Sequence, residues 1–154
     1  MTQCYIFDID GTLADASHRI HHIKKCPKDW DSFFEWMIND RPFPHILKLA
    51  HTLHDAAELE GDPCLLFVSG RPERYRTMTI DWLLSVGLLT DGRMRLYMRP
   101  DGDRRDDDII KYEILQQLKD KGYEPIMAFD DRDRIVKMWR ANGVPCLQVS
   151  EGDF

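Results

Sequence analysis

At 154 residues, 43% hydrophobic and 31% charged, the chain has enough apolar content for a sizeable core and too much for a disordered protein. Its length suits one domain, and no apolar run approaches the roughly 18 residues that a membrane span needs. A net charge of −6, from 21 Lys and Arg against 27 Asp and Glu, argues against general, charge-driven binding of nucleic acid.

The first predicted element is the run "CYIF" from Cys4, whose aromatic and β-branched character suits a buried strand. It runs straight into Asp8 and Asp10, with Gly11 behind them. A helix is expected from about Pro44 to Glu60, followed by the strand "CLLFV" and a helix from about Pro72 to Val86. The strand "MRLYM" then precedes a helix from about Asp106 to Lys121. "PIMAF" precedes another from about Arg132 to Asn142, and "PCLQV" comes last. Gly122 and Gly143 sit where helix C-caps belong, and Pro72 sits near a helix start. Such alternation predicts an α/β fold with a parallel sheet and crossover helices. The N-terminus lacks a basic segment followed by an apolar one, so a cytoplasmic protein is expected. Cys4, Cys26, Cys64 and Cys146 form no C-x-x-C pair and read as buried thiols.

In parallel α/β sheets, ligands bind at the carboxyl ends of the strands, near a change in strand order. Asp8 and Asp10 follow the first run, Ser69 to Arg71 the second, and Asp130 and Asp131 the fourth. Lys111 lies early in the helix that begins "DDDIIK". One acidic pair at a strand end is often a helix N-cap. Two such pairs on neighbouring strands repel each other strongly and need a cation, a shared proton, or both. Oxygen-only ligands with no His or Cys nearby select a hard metal, here Mg²⁺.

"FDIDGT", "VSGR", a helical lysine and "FDDR" resemble, in order, the four motifs of haloacid-dehalogenase-type phosphohydrolases. Arg19, "GDRRDDDIIK" around Lys111 and "DDRDRIVKMWRANGVPCLQVSEGDF" extend the resemblance to the phosphatase domain of phage-type polynucleotide kinase-phosphatases. The resemblance implies a Rossmann-like three-layer α/β sandwich with a mostly parallel sheet, as one phosphatase domain over 1–154. It also implies a small helical cap insert at about 14–41, longer than its counterpart in the fused enzymes. No G-x-x-x-x-G-K-[ST] occurs, so a phosphatase without the kinase half is expected.

By the same resemblance, Asp8 is the nucleophile that forms a phosphoaspartate, and Asp10, held protonated, is the general acid and base. Gly11 turns the backbone so that nearby N–H groups face the phosphate. Mg²⁺ would be held by Asp8, the Asp10 carbonyl and the Asp130/Asp131 pair. Ser69 and Lys111 would hold the phosphoryl oxygens; Arg19 and Arg71 match positions that grip the phosphate, and Asp107 one that orients a neighbour. Each has a plainer alternative: Ser69 as a helix cap, Lys111 and Arg19 as surface residues, Asp107 as a helix-start acid. Trp30, Phe33, Phe34 and Trp36 are expected to pack a small helix, and His18, His21 and His22 to lie on the surface or in packing roles. Eight arginines and no lysine lie between Arg71 and Arg105, against five acids, which suits either a solvated face or an anion-facing patch.

The expected activity is removal of 3′-phosphates from nucleic-acid ends, DNA or RNA, with no membrane partner. A phosphatase of nucleotides or other small phosphoesters is the alternative within the same chemistry. A non-catalytic module binding nucleic-acid ends is the alternative of another class, against which the presence of both Asp8 and Asp10 counts.

Overall fold

The structure is a computed structural model that describes residues 1–60 and 63–153. Side chains alternate between two faces along each central strand, and this period of two decides the layering. In β1 (Thr2–Phe7), Cys4 and Ile6 join one apolar cluster while Phe7 joins the other. A short strand β2 (Ala14–Asp15) follows, then the helices α1 (His21–Lys24) and α2 (Trp30–Glu35), and β3 (Arg41–Pro42) pairs antiparallel with β2. The hairpin thus closes the base of residues 14–42. Asp29 starts α2 because its carboxylate accepts the Ser32 N–H at 3.0 Å, satisfying an otherwise orphaned helix donor.

The helix α3 (Pro44–Glu60) leads to β4 (Cys64–Pro72), and α4 (Arg76–Ser85) to β5 (Met94–Arg99). Next come α5 (Asp107–Asp120), β6 (Tyr123–Asp130), α6 (Asp133–Ala141) and β7 (Cys146–Gln148). The five long and short strands of the main sheet run in the order β5-β4-β1-β6-β7, all pairs parallel. Leu65 and Phe67 of β4 face the same side as Phe7, against Ile46 and Ala50 of α3 and Trp82 and Leu83 of α4. Leu66 and Val68 face the other side, against Ile110, Ile114 and Leu118 of α5 and Ile135 and Trp139 of α6. Each fully buried side chain of this size contributes roughly 1.5–3 kcal/mol, so the two apolar faces dominate the stability. This is the expected α/β sandwich.

The chain steps from β1 outward to β4 and β5 on one side, and later returns to β6 and β7 on the other. The change of direction falls at β1, so its carboxyl end is the switch point where a crevice opens. Among the described residues no helix is long and apolar enough to cross a membrane.

Three local expectations change. The helix expected from Pro72 starts later, because β4 continues through Pro72, a 3₁₀ turn covers Glu73–Tyr75, and α4 begins at Arg76. Proline's fixed φ, here −63° with ψ 147°, suits extended backbone as well as a helix start. Phe33 and Phe34 are buried with Met37 and Tyr75 as expected, but Trp30 and Trp36 stay about half exposed. Cys26 is exposed, unlike the buried Cys4 and Cys146.

Candidate active site

Asp8 sits one residue past the end of β1, where its N–H still donates to the Phe129 carbonyl at 3.0 Å. The register between β1 and β6 carries Phe7 opposite Phe129, so Asp8 and Asp130 emerge side by side. Lys111, buried in the second turn of α5, donates to Asp8 Oδ1 and to Asp130 Oδ2, each at 2.7 Å. Thr12 Oγ1 donates to the other Asp8 oxygen at 3.1 Å. Asp130 Oδ1 accepts the Asp131 N–H at 3.0 Å, which fixes the second acid of the pair.

Oxygens of Asp8, Asp130 and Asp131 lie within 4.8 Å of one another, all in buried residues. One ammonium therefore faces three carboxylates. Burial pushes the Asp8 carboxyl well above its ordinary range; Lys111 opposes this, but Asp130 and Asp131 add to it. Burial and Asp130 push Asp131 up to about 6. Lys111 moves up too, because Asp130 and Asp8 outweigh the cost of burying its charge. Asp131 Oδ1 is buried with no hydrogen-bond partner, an expense that proteins rarely leave uncompensated. A net negative, all-oxygen cluster with an orphaned carboxylate oxygen fits a small hard divalent cation.

Asp10 faces away from this trio. Its Oδ1 accepts from Arg19 at 2.5 Å and from Arg71 at 2.7 Å, and its Oδ2 accepts from Arg71 Nε at 3.0 Å. Burial disfavours its charge, but Arg71 and Arg19 outweigh that and hold the carboxyl well below the usual range. The expected protonated Asp10 is thus an ionised one in this structure, because two guanidiniums and not the other carboxylates are its neighbours. Arg19 and Arg71, expected to grip the phosphate, have no exposed surface and spend their forks on Asp10 and Asp40. Two buried guanidiniums require carboxylate partners, and these supply them. Asp40 was not legible as a site residue in the sequence, nor was its contact with His18, whose Nε2 lies 2.8 Å from Asp40 Oδ1.

Ser69 is buried at the carboxyl end of β4, beside β1, and caps no helix; its Oγ accepts the Arg71 N–H at 3.2 Å. Beyond it the pairing with β5 jumps from Ser69–Met98 to Pro72–Arg99. That irregularity swings Arg71 off the strand and toward Asp10. Asp107, the first residue of α5, is held between Arg99 and Arg132, its Oδ2 accepting from Arg132 at 2.5 Å. Arg99 also donates to the Gly70 carbonyl at 2.9 Å, tying the α5 start to the "SGR" segment.

Gly11 has φ +84°, a conformation costly for any other residue. The N–H groups of Gly11 and Thr12 donate to Ala14 and Ile9 carbonyls at 2.9 and 3.2 Å, so these are spent on the loop and do not face a phosphate. What Gly11 provides is room: a Cβ there would lie 2.2 Å from Asp131 Oδ2. Gly11→Ala is expected to cost at least about 1–2 kcal/mol from the backbone alone, read as a lowered denaturant midpoint.

The phosphatase-domain model of polynucleotide kinase PNKP matches residues 2–154. A protein of Autographa californica nuclear polyhedrosis virus, provisionally named for polynucleotide kinase and RNA ligase activities, is 25% identical over 140 residues. That match covers 91% of this chain and 18% of the relative. A chain in a structure of the Pnkp1/Rnl/Hen1 complex is 28% identical with a TM-score of 0.79, over 100% of this chain and 47% of that one. A second, described as the Pnkp1/Rnl/Hen1 RNA repair complex, gives 26% identity and a TM-score of 0.77, over 100% of this chain and 44% of that one. This chain therefore spans less than half the length of each of these three relatives. With the D-x-D-G-T strand end, the buried lysine and the second acidic pair in place, the chain belongs to the polynucleotide kinase PNKP phosphatase-domain family of haloacid-dehalogenase-type hydrolases.

Proposed function

We propose that this chain is a Mg²⁺-dependent phosphatase that removes 3′-phosphates from nucleic-acid ends through a phosphoaspartate on Asp8. The observation that carries this reading is the Asp8 carboxylate itself, held at the switch point by Lys111 and Thr12 with Asp10 two residues on. Asp8 attacks phosphorus in line, so the Oδ–P bond forms as the bond from phosphorus to the 3′-oxygen breaks. Asp10 gives its proton to that oxygen. A water then attacks the phosphoaspartate, Asp10 takes the water's proton, and Asp8 is released with inorganic phosphate. The phosphate dianion, placed beside Asp10, opposes the two guanidiniums and favours the protonated form that the first step needs.

Asp8, the Asp10 carbonyl and the Asp130/Asp131 pair would hold the Mg²⁺, which supplies charge neutralisation for the carboxylates and the phosphoryl oxygens. Lys111 and Ser69 steady the phosphoryl oxygens as charge builds. Arg19 and Arg71 are assigned to Asp10, and Asp107 to holding the α5 start against Gly70 through Arg99. The relation to a chain of an RNA repair complex favours RNA ends over DNA.

Most arginines between Arg71 and Arg105 are already engaged. Arg74 pairs with Asp31, Arg76 with Glu73, Arg99 with Asp107, and Arg105 with Asp103 and Glu113. The side chains of Arg93 and Arg95, at the amino end of β5, donate only to backbone carbonyls, and among the described residues the exposed Arg104, beyond the carboxyl end of β5, has no ion pair. It is the best placed to meet a neighbouring phosphate of the strand.

The test is a set of initial rates on 3′-phosphorylated RNA and DNA oligonucleotides, their 5′-phosphorylated forms, nucleoside 3′-monophosphates and an aryl phosphate. Oligonucleotide 3′-phosphates are expected to be best, chiefly through KM, with 5′-phosphates poor. One phosphate contact predicts a log–log salt slope of about 0.7. Equal efficiency on mononucleotide and oligonucleotide without salt dependence would establish the small-molecule phosphatase. No hydrolysis of any substrate, with retained end binding, would establish the binding module.

A further inference from the structure

A second group of titratable side chains lies at the amino ends of the strands, the end of the sheet opposite to Asp8. His54 and Glu58 stand one turn apart on α3, whose last residues lead to the start of β4. Asp91 lies in the turn that leads into β5. Because β4 and β5 are parallel neighbours, the end of α3 and that turn meet at the same edge. His54 Nε2 lies 3.1 Å from Asp91 Oδ2 and 3.6 Å from Glu58 Oε1, and donor atoms of the three residues lie within 4.8 Å of one another.

His54 sets this group apart from an ordinary surface cluster of acids. Its side chain is only 9% exposed, and its Nδ1 is buried with no hydrogen-bond partner. A buried imidazole unsupported at one nitrogen needs a strong interaction at the other to offset its desolvation. That other nitrogen, Nε2, faces two carboxylates, and a single N–H serves only one of them well. Among the described residues no Lys or Arg forms an ion pair with Glu58 or Asp91. Arg93 donates its outer nitrogen to the Ala57 carbonyl at 2.8 Å, which fastens the turn to α3. The Arg93 N–H holds Asp91 Oδ1 at 2.8 Å and leaves Oδ2 turned to His54.

Donors placed about 2.1 Å from a tetrahedral Zn²⁺ stand roughly 3.4 Å apart. The two separations from Nε2, 3.1 and 3.6 Å, bracket that spacing. One imidazole nitrogen with two carboxylate oxygens is a mixed set, which suits Zn²⁺ and its first-row neighbours better than Mg²⁺. We propose that His54, Glu58 and Asp91 form a second metal site, for a Zn²⁺-type dication, with water in the fourth position. Such an ion meets both carboxylates at once and takes the Nε2 lone pair of a neutral His54. It clasps the end of α3 to the turn before β5. The site stands independently of the phosphatase reading, since none of its residues reaches the edge that carries Asp8, Asp130 and Asp131.

The test uses the full chain, stripped of metal and then kept in excess Mg²⁺ so that the Asp8 cluster is not the site being read. Zn²⁺ is titrated against a chromogenic chelator, Co²⁺ is followed by its visible absorption, and melts are recorded with and without Zn²⁺. The parent is expected to bind Zn²⁺ and to melt higher with it, since an ion held only by the folded state stabilises that state. Losing a group that merely orients a metal ligand costs roughly 10–100-fold in affinity, so His54→Ala, Asp91→Asn and Glu58→Gln should each weaken this binding at least about tenfold. Each should also remove most of the Zn²⁺-dependent rise in melting temperature. Asp91→Asn keeps the acceptor for the Arg93 N–H, and Glu58 is exposed, so these two variants decide the question should His54→Ala not fold. A variant carrying both His21→Ala and His22→Ala, far along the chain in α1, should keep the parent response. Zn²⁺ affinity unchanged in Asp91→Asn and Glu58→Gln would overturn the proposal. So would a parent that binds no Zn²⁺, or a response lost with His21 and His22 and kept without His54.

Discussion

Asp8→Asn is expected to lower kcat by at least about four orders of magnitude while leaving the protein folded and, without metal, more stable than the parent. An amide nitrogen cannot carry the phosphoryl group as an acyl phosphate, so the covalent route is lost and not merely slowed. Four decades correspond to roughly 5 kcal/mol of barrier. The stability argument runs the other way. Asp8, Asp130 and Asp131 place three carboxylates around one ammonium, and burial already pushes Asp8 toward its protonated form. Asparagine keeps the shape, with its oxygen accepting from Lys111 and its amide N–H donating to the Thr12 hydroxyl, and removes one charge from an over-charged cluster. Lys111 keeps Asp130 at 2.7 Å. Rates from steady-state assays and midpoints from thermal melts in chelator check the two halves separately. More than a tenth of the parent rate would sink the phosphoaspartate mechanism.

The same cluster shows what the sequence makes legible. Strand ends are readable because an apolar run followed by paired acids has few uses, and β1 and β6 do deliver Asp8, Asp130 and Asp131 to one edge. The expected span of α3 coincides with Pro44–Glu60, and α5 and α6 differ by a residue at each end, where capping leaves boundaries soft. The parallel layering followed from strand and helix alternation alone. What could not be read was which charge meets which across the chain. Asp40 and Arg19 are 21 residues apart in "HRIHH" and "INDRP", and nothing local distinguishes Asp40 from a surface acid. The ionised state of Asp10 is hidden for the same reason, since adjacency to Asp8 in sequence points to carboxylate neighbours and not to Arg19 and Arg71. Residues i and i+2 of an extended strand share a face, which would keep Asp10 beside Asp8, but β1 ends at Phe7 and the loop beyond it turns Asp10 toward Arg19 and Arg71. The aromatic segment divides likewise: Phe33 and Phe34 face Tyr75, while Trp30 and Trp36 lie on the outer side of short helices that have little to pack against.

Removing divalent cations is expected to stop turnover and to give the apo protein an unusual pH dependence of stability. Mg²⁺ should restore activity and Ca²⁺ should do so poorly, because Ca²⁺ takes more oxygens at longer and looser distances and can engage both oxygens of Asp8. The pH dependence follows from the raised carboxyls. An unfolded aspartate titrates near its ordinary value, about 3.9, whereas folded Asp131 is pushed up to about 6 and Asp8 also lies above the ordinary range. Between these values the native state binds more protons than the unfolded one, so stability falls as pH rises through that window. A chelated sample should therefore melt higher at pH 5 than at pH 7.5. A shift of this size for Asp131 alone corresponds to roughly 3 kcal/mol as an upper figure. Asp10 contributes in the opposite sense, but because its carboxyl is held low its contribution is lost only as pH falls from the unfolded value of about 3.9 downward, below both pH values compared. Adding Mg²⁺ at pH 7.5 should raise the melting temperature, since a cation bound only to the folded state stabilises it by mass action. The gain should shrink toward pH 5 as protons compete for the same oxygens. Lys111→Met should exaggerate the apo effect, because it removes the ammonium that pairs with Asp8 and Asp130. Full activity in chelator, or an apo protein that melts no higher at pH 5 than at pH 7.5 and does not respond to Mg²⁺, would mean that the trio is balanced without a metal.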